Sequence, residues 1–308
     1  MRILIVASGN RSQISPFIIE QVNSLKSLGI MIEYFLIKGK GLFGYIKNYF
    51  LFLKKIKNNN YDIIHAHYGL SGLLSSLQSK LPVIITFHGS DVNLNNNYLF
   101  SRLAATLSTV NIFVHPNIYR KLKSYNNKSH IIPCGIDLNT FQPMEKLDAR
   151  KILGFKKNLN YILFSSSFQN PIKNPKLAKE ASTKIKNCIL IELKDFKRRE
   201  VNLLMNAVDL LLVTSHSETG PLVVKEALAC NCPIVSTNVG DVKEITNGVL
   251  NCFITNYTAE EIVEKTNIVL FSKKRSNGRN KVKNFELNII AKKIFNIYVK
   301  TKKHSTIK

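Results

Sequence analysis

The sequence predicts two α/β domains in tandem, each built on a parallel sheet, and three observations carry that prediction. The chain has 308 residues, enough for about two domains at the usual 100 to 200 residues each. Short continuous apolar runs, such as RILIVA at residues 2–7 and VDLLLVT at 208–214, are closed by glycine or polar residues. That is the pattern of strands covered on both faces of a parallel sheet. A helical stretch follows each such run, so strand and helix alternate along both halves without an internal repeat.

Hydrophobic residues at 45% and charged residues at 21% place the chain among globular proteins rather than disordered or fibrous ones. Five cysteines, an odd number with no CxxC pair, argue for free thiols in a reducing compartment, with Cys230 and Cys232 as packing residues. No apolar run approaches the 18 or so residues of a spanning helix, and RILIVA reads as a first strand rather than a leader, so a cytoplasmic location is expected. Lys and Arg number 44 against 20 Asp and Glu, a net charge of +24. Polyanions fit such a charge, whether nucleic acid, anionic lipid or a diphosphate donor. The chain is also rich in Asn and Ile, and an AT-biased coding sequence that favours Lys over Arg would raise that figure without selecting for any ligand.

In order, residues 1–9 read as a strand entering a glycine turn, and residues 12–28 as a helix stopped by Gly29. This is the opening of a doubly wound domain. Gly9 is a candidate for close approach to a phosphate. Strands follow at residues 30–37, 62–66, 83–87 and 110–115. His65 and His67 share one face of an extended segment with no third metal ligand in view, and read as cleft-wall or packing residues. The 83–87 strand runs into TFHGSD, which sets His88 at a strand's carboxyl end, where open α/β sheets take ligands. In the second half a strand at 161–165 leads into SSSFQNPIKNPKLAKEA, a second phosphate-binding candidate. Residues 259–270 read as an amphipathic helix and 273–283 as a basic turn. Residues 285–299 read as a helix with apolar positions at 285, 289, 290, 294, 295, 298 and 299.

The densest chemistry lies in TSHSETGPLVVKEALACNCPIVSTNVGDVKEI, residues 214–245. After the 208–214 strand, Pro221 suits the first helical position, because the N–H it lacks would have no partner there. The helix continues through Leu222, Val223, Glu226, Ala227 and Ala229 until Asn231 and Pro233 stop it; a strand at 234–237 and a turn at Gly240 follow. The free N–H groups of Leu222 and Val223, with the helix dipole, make an anion site. Two carboxylates bracket it. Glu218 precedes the helix, and Glu226, on an exposed helix face, lies roughly 7 to 8 Å along the axis from Pro221 at about 1.5 Å per residue. They are too far apart to share a proton. A ligand long enough to meet both would lay a phosphate on the helix N-terminus and offer hydroxyls at either end, as a nucleotide sugar does.

Glu218 and Glu226, with seven residues between and EALACNCPIV following, resemble the E-x7-E signature of retaining glycosyltransferases of family 4, which have the GT-B fold. Where the family usually has Glu-Gly-Phe-Pro, this chain has Glu-Thr-Gly-Pro. The resemblance covers nearly the whole chain. It implies two Rossmann-like domains facing across a cleft, with the donor held mainly by the second and a C-terminal helix crossing back to the first. IIPCGIDLNTFQP, residues 131–143, resembles the family's Pro-Asn-Gly-Ile-Asp segment at the end of the first domain, with Cys134 in place of Asn. The implied domains are therefore 1–143 and 144–284, with the returning helix at 285–308.

By the same resemblance Glu226 binds the nucleotide ribose and Glu218 lies near the donor sugar, with Thr219, Gly220, Leu222 and Val223 in the donor-binding turn. TFHGSD resembles the family's His-Gly-Ser-Asp element, which gives His88 a contact to the donor sugar and places Asp91 in the donor site. Lys173 matches a family Lys that follows an Arg by six residues, the pair neutralising the leaving diphosphate. The Arg position is Ser167, a loss of a full charge and several donors. Lys194, Arg198 and Arg199 are the other cations nearby in sequence. The catalytic set implied is His88, Lys173 and Glu218, with no metal or other cofactor. The implied partners are a nucleotide-sugar donor and a saccharide or lipid-linked saccharide acceptor of bacterial surface polysaccharide synthesis.

Other readings fit the same residues. A sugar-nucleotide epimerase or a phosphorylase shares the architecture and needs no separate acceptor, and a non-catalytic partner subunit would explain the missing Arg. A nucleic-acid-binding protein would explain the charge, yet no helix-turn-helix, zinc spacing or RNP-like string is present. Residues 42–57, LFGYIKNYFLFLKKIK, carry more large apolar groups than one core-facing stripe needs, interleaved with Lys47, Lys54, Lys55 and Lys57. The segment suits either a buried helix or one lying on an anionic membrane, which would make the protein peripheral to the inner face.

Overall fold

The structure is a computed structural model that describes residues 1–10, 14–39, 41–93, 95–122 and 129–305. The chain divides into two compact domains, Met1–Gly135 with Leu287–Lys308, and Ile136–Glu286. The boundary expected near Pro143 falls inside the second domain. There Phe141 is fully buried, and the carbonyls of Leu138 and Phe141 accept from the Arg279 guanidinium at 2.9 and 2.6 Å.

The first domain is a six-stranded parallel sheet of β1 (Arg2–Ser8), β2 (Met31–Ile37), β3 (Ile63–His67), β4 (Val83–Phe87), β5 (Val110–Phe113) and β6 (Ser129–Ile131), in the order β2-β1-β3-β4-β5-β6. Central strands with unbroken burial, such as VIITF in β4, explain the continuous apolar runs. One face is covered by helices Pro16–Lys26 and Leu287–Ser305, whose Val22, Ile290, Ile294 and Tyr298 pack with Ile3 and Ile5. The other is covered by Gly41–Lys57, Gly69–Ser76 and Asn95–Leu107, through Phe52, Leu74 and Ala104.

The second domain is a five-stranded parallel sheet of β7 (Asn160–Phe164), β8 (Cys188–Glu192), β9 (Leu210–Val213), β10 (Ile234–Thr237) and β11 (Cys252–Thr255), in the order β11-β10-β9-β7-β8. Helices Arg198–Ala207 and Leu222–Ala229 pack on one face, and Pro175–Thr183 and Ala259–Ser272 on the other. Both domains are Rossmann-like. In each, successive strands are added first on one side of the opening strand and then on the other, so the order reverses between β1 and β3 and between β7 and β9. Such switch points leave a crevice at the carboxyl ends of the strands where ligands bind.

Several expected elements shift. The first helix begins at Pro16 rather than residue 12, and residues 11–13 lie outside the described residues. The last helix begins at Leu287; Phe285 stays with the second domain, its ring 4.5 Å from the Lys225 ammonium. Its buried stripe is Ile290, Ala291, Ile294, Ile297 and Tyr298, while Ile289 turns outward. In Gly41–Lys57 the core takes Phe52 and Ile56. Lys55 is half-exposed and ion-paired: its ammonium lies 2.7 Å from Glu33, which Arg2 also engages.

Candidate active site

At the β7–β9 switch point two loops are tied together. The Thr214 hydroxyl, at the end of β9, donates to the carbonyls of Lys173 and Asn174 at 3.0 and 2.8 Å. The His216 amide donates to the Ile172 carbonyl at 2.9 Å. These bonds bring the SSSFQNPIK loop against the turn that carries Glu218. Lys173 Nζ then donates to Glu218 Oε1 at 2.5 Å, and Ser215 Oγ donates to the same oxygen at 2.8 Å. An ammonium has three donors, so Lys173 can hold Glu218 and still meet an anion.

The helix after that turn runs Leu222–Ala229, and Pro221 is its N-cap rather than its first residue, with φ −66° and ψ 115°. The extended ψ is the reason: the chain has not yet entered the helix at Pro221. Leu222 and Val223 therefore open the helix, and their amides have no intrahelical acceptor, whereas Val224 N–H is taken by the Pro221 carbonyl at 3.1 Å. The turn after β10 lies against this point. Gly240 has φ +57°, and a side chain there would meet the Thr219 carbonyl at 3.0 Å, so glycine answers both the backbone angle and the close approach. Asp241 faces Gly220 from that turn.

Glu226 is not on an exposed face. It is 3% exposed, because the helix turns this position toward Arg198–Ala207, and Arg198 Nη1 donates to its Oε1 at 2.6 Å. The guanidinium carbon also sits 4.6 Å from the centre of the Phe141 ring, a cation–π contact. Burial pushes the Glu226 carboxyl above its ordinary range, and the Arg198 charge and hydrogen bond work against that. Sequence left Arg198 among several cations in KDFKRRE, since spacing alone cannot say which of them turns inward. Lys194 and Arg199 are exposed. Ser167 is half-exposed; its hydroxyl bonds the Gln169 side chain, and it accepts from the Gln169 amide at 3.2 Å.

The first domain gathers rings at the same place in its sheet. His65, His67 and His88 stack in a row, with centroids 4.7 and 5.3 Å apart. His65 bonds the Tyr298 and Thr86 hydroxyls at 2.5 and 2.7 Å, and His67 Nδ1 lies 3.0 Å from His88 Nε2. Desolvation holds all three well below the usual imidazole range, His67 at about 3, so the rings are neutral. Cys134 Sγ is 3.8 Å from His88 Nδ1. Asp91 is buried, with one oxygen accepting from the His88 and Gly89 amides and the other from Gly69. Its carboxylate shapes the loop that presents His88. Burial raises its pKa to about 6 despite those bonds. The Gly9 amide is engaged by the Ile37 carbonyl at 2.8 Å, and a methyl there would meet Leu36 Cβ at 2.9 Å, so packing between β1 and β2 accounts for this glycine. Among the described residues no group of His, Cys, Asp and Glu is placed to hold a metal ion.

Residues 21–140 match the family model Glycosyltransferase Family 4, and residues 158–270 match the model Glycosyl transferases group 1. The chain belongs to glycosyltransferase family 4. The matched regions of this family 4 chain contain His88 and Asp91 in the first stretch, and Ser167, Lys173, Glu218 and Glu226 in the second. A Bacillus subtilis protein named as a teichuronic acid biosynthesis glycosyltransferase is 27% identical over 235 residues, 66% of this chain and 60% of its own length. The chain thus spans less than two thirds of that relative. Among solved structures, sucrose-phosphate synthase from Thermosynechococcus elongatus superposes with a TM-score of 0.85 at 16% identity, covering 97% of this chain and 98% of that one. Anabaena Alr3699/HepE in complex with UDP-glucose superposes with a TM-score of 0.78 at 15% identity, covering 97% and 100%. At those identities the likeness is one of fold.

Proposed function

We propose that the chain transfers a sugar, with retention of anomeric configuration, from a nucleoside diphosphate sugar to a saccharide or lipid-linked saccharide acceptor. The observation that carries this reading is the pair of ion pairs, Lys173–Glu218 and Arg198–Glu226, on either side of the Leu222–Ala229 helix N-terminus. A structure of the same fold that holds UDP-glucose, and a relative named for teichuronic acid synthesis, support the donor class and the polysaccharide setting.

In this reading the diphosphate rests on the Leu222 and Val223 amides and Lys173, the ribose hydroxyls donate to Glu226, and the sugar lies toward Glu218. An acceptor hydroxyl attacks the anomeric carbon from the face the diphosphate leaves. The bond to the diphosphate oxygen breaks as the new glycosidic bond forms, and that oxygen takes the acceptor's proton. Lys173 and the helix N-terminus stabilise the charge that builds on the leaving group. His88, the residue that the family resemblance assigns to the donor sugar, is a neutral imidazole. No general-base role is assigned to Glu218.

A thermal-shift screen over uridine and guanosine diphosphate sugars, followed by NMR of the product's anomeric configuration, tests this. A stabilising donor and a retained configuration are expected; an inverted product would remove the mechanism. Ser167 favours a second reading, a non-catalytic partner subunit, because a hydroxyl stands where the family places an Arg. Donor binding without either transfer or hydrolysis would select it.

A further inference from the structure

The net charge is concentrated in one domain. Met1–Gly135 with Leu287–Lys308 holds 21 Lys and Arg against four Asp and Glu, a net +17, while Ile136–Glu286 holds 23 against 16, a net +7. Three of the first domain's four acids are taken internally: Glu33 by Arg2 and Lys55, Asp62 by Lys302, and Asp91 by backbone amides.

The same domain leaves large apolar groups in water on its Gly41–Lys57 and Asn95–Leu107 helices. Phe50 is 66% exposed, and Ile46 and Leu51 also point outward beside exposed Lys47, Lys54 and Lys57. On the other helix Leu99, 71% exposed, starts a row continued by Leu103 and Leu107 at four-residue steps, with exposed Arg102 beside it. Both helices cover the same face of the sheet. Gly69–Ser76 joins them: it packs on Asn95–Leu107, and the Tyr49 hydroxyl donates to the carbonyl of Leu77, itself outward-facing, at 3.1 Å. The outward positions of the two helices include no acidic residue.

We propose that this face docks on an anionic lipid bilayer, with the aromatic and leucine side chains entering the headgroup region and the lysines and Arg102 meeting lipid phosphates. Charge alone would suit any polyanion, but a nucleic-acid backbone offers nothing to bury Phe50 or Leu99, whereas an interfacial helix with apolar and basic groups together suits a membrane surface. Among the described residues no helix is long and apolar enough to cross a membrane. The surface enlarges the one expected from residues 42–57 by a second helix, and removes Lys55 from it.

The test is co-sedimentation of the full chain with phosphatidylglycerol–phosphatidylcholine vesicles and with phosphatidylcholine alone, at low and high salt, beside retention on heparin. Strong, salt-sensitive binding to the anionic vesicles and weak binding to the neutral ones are expected. Lys47→Glu with Lys54→Glu should lower vesicle binding about tenfold or more and weaken heparin retention as well. Phe50→Ser with Leu99→Ser should lower vesicle binding by a similar factor and leave heparin retention unchanged, which separates lipid insertion from charge. Each variant's melting curve is compared with that of the wild type, and Phe50→Ser alone replaces the pair if the pair unfolds. Wild-type protein that ignores anionic vesicles at low salt, or vesicle binding that survives both sets of substitutions, overturns the proposal. So does apolar substitution that weakens heparin and vesicles equally.

Discussion

At the carboxyl ends of its strands each domain gathers polar side chains, but the first does so with stacked uncharged rings and the second with ion pairs. The topology is alike and the switch point sits in the corresponding place, so the difference comes from the residues placed there. In the first domain burial keeps three imidazoles neutral. In the second each motif carboxylate has a cation against it. A Rossmann-like sheet thus supplies the crevice, and the local choice of side chains decides whether it offers neutral hydrogen bonds or fixed charge.

The strongest way to break that comparison is Arg198→Ala. It leaves Glu226 buried beside no guanidinium, which should cost the second domain about 2 to 3 kcal/mol. Because the Glu226 pKa is already raised by burial, the loss should deepen as pH rises through it, and denaturant unfolding at pH 5 and pH 8 checks both claims. Equal destabilisation at the two pH values would contradict the raised carboxylate. Next, Lys173→Ala should weaken nucleoside diphosphate binding by about 2 kcal/mol, roughly thirtyfold, with little change in melting temperature.

A third prediction concerns the neutral rings. His67 has a folded pKa of about 3 against an ordinary 6.5, so the unfolded chain takes up a proton that the folded one refuses. Stability is complete above pH 6.5 and falls as pH drops toward 3. Asp91, with its raised pKa of about 6, and Glu226, also raised by burial, act in the opposite sense and make stability fall as pH climbs through the acid range, so the His67 contribution is read from the difference between wild type and variant. His67→Phe should flatten the acid-side slope by about 1.4 kcal/mol per pH unit between pH 4 and 6; an unchanged slope would mean that His67 titrates normally. The smallest effect is expected for Ser167→Arg, which adds a charged fork to the loop that carries Lys173 and should tighten diphosphate binding by about 1 kcal/mol.

The fold was legible in residues such as VIITF and VDLLLVT, because a strand buried on both faces writes itself as an unbroken apolar run. The positions of Lys173, Glu218 and the Leu222–Val223 turn at strand ends were legible because strand, turn and helix follow one another in sequence, while the roles given to Lys173 and Glu218 come from the family resemblance. Arg198 was not, since its partner lies 28 residues away and only the packing of two helices brings them together. Glu226 misled for the same reason: a Glu in a helical pattern reads as solvated until the neighbouring helix is in place. The domain boundary slipped because Arg279, far along the chain, ties residues 138–141 to the second domain. In residues 42–57 one side of the helix lies in the core and the other in water, a division that composition cannot resolve.

The central claim is that the charged crevice of the second domain binds a nucleoside diphosphate through Glu226. Isothermal titration of UDP and GDP into the wild type and Glu226→Ala tests it most directly. One of the two should bind the wild type, and the variant should lose about 1.5 to 3 kcal/mol of affinity while keeping its fold. Equal affinity in the two proteins, or no binding of either nucleotide to the wild type, would contradict the account.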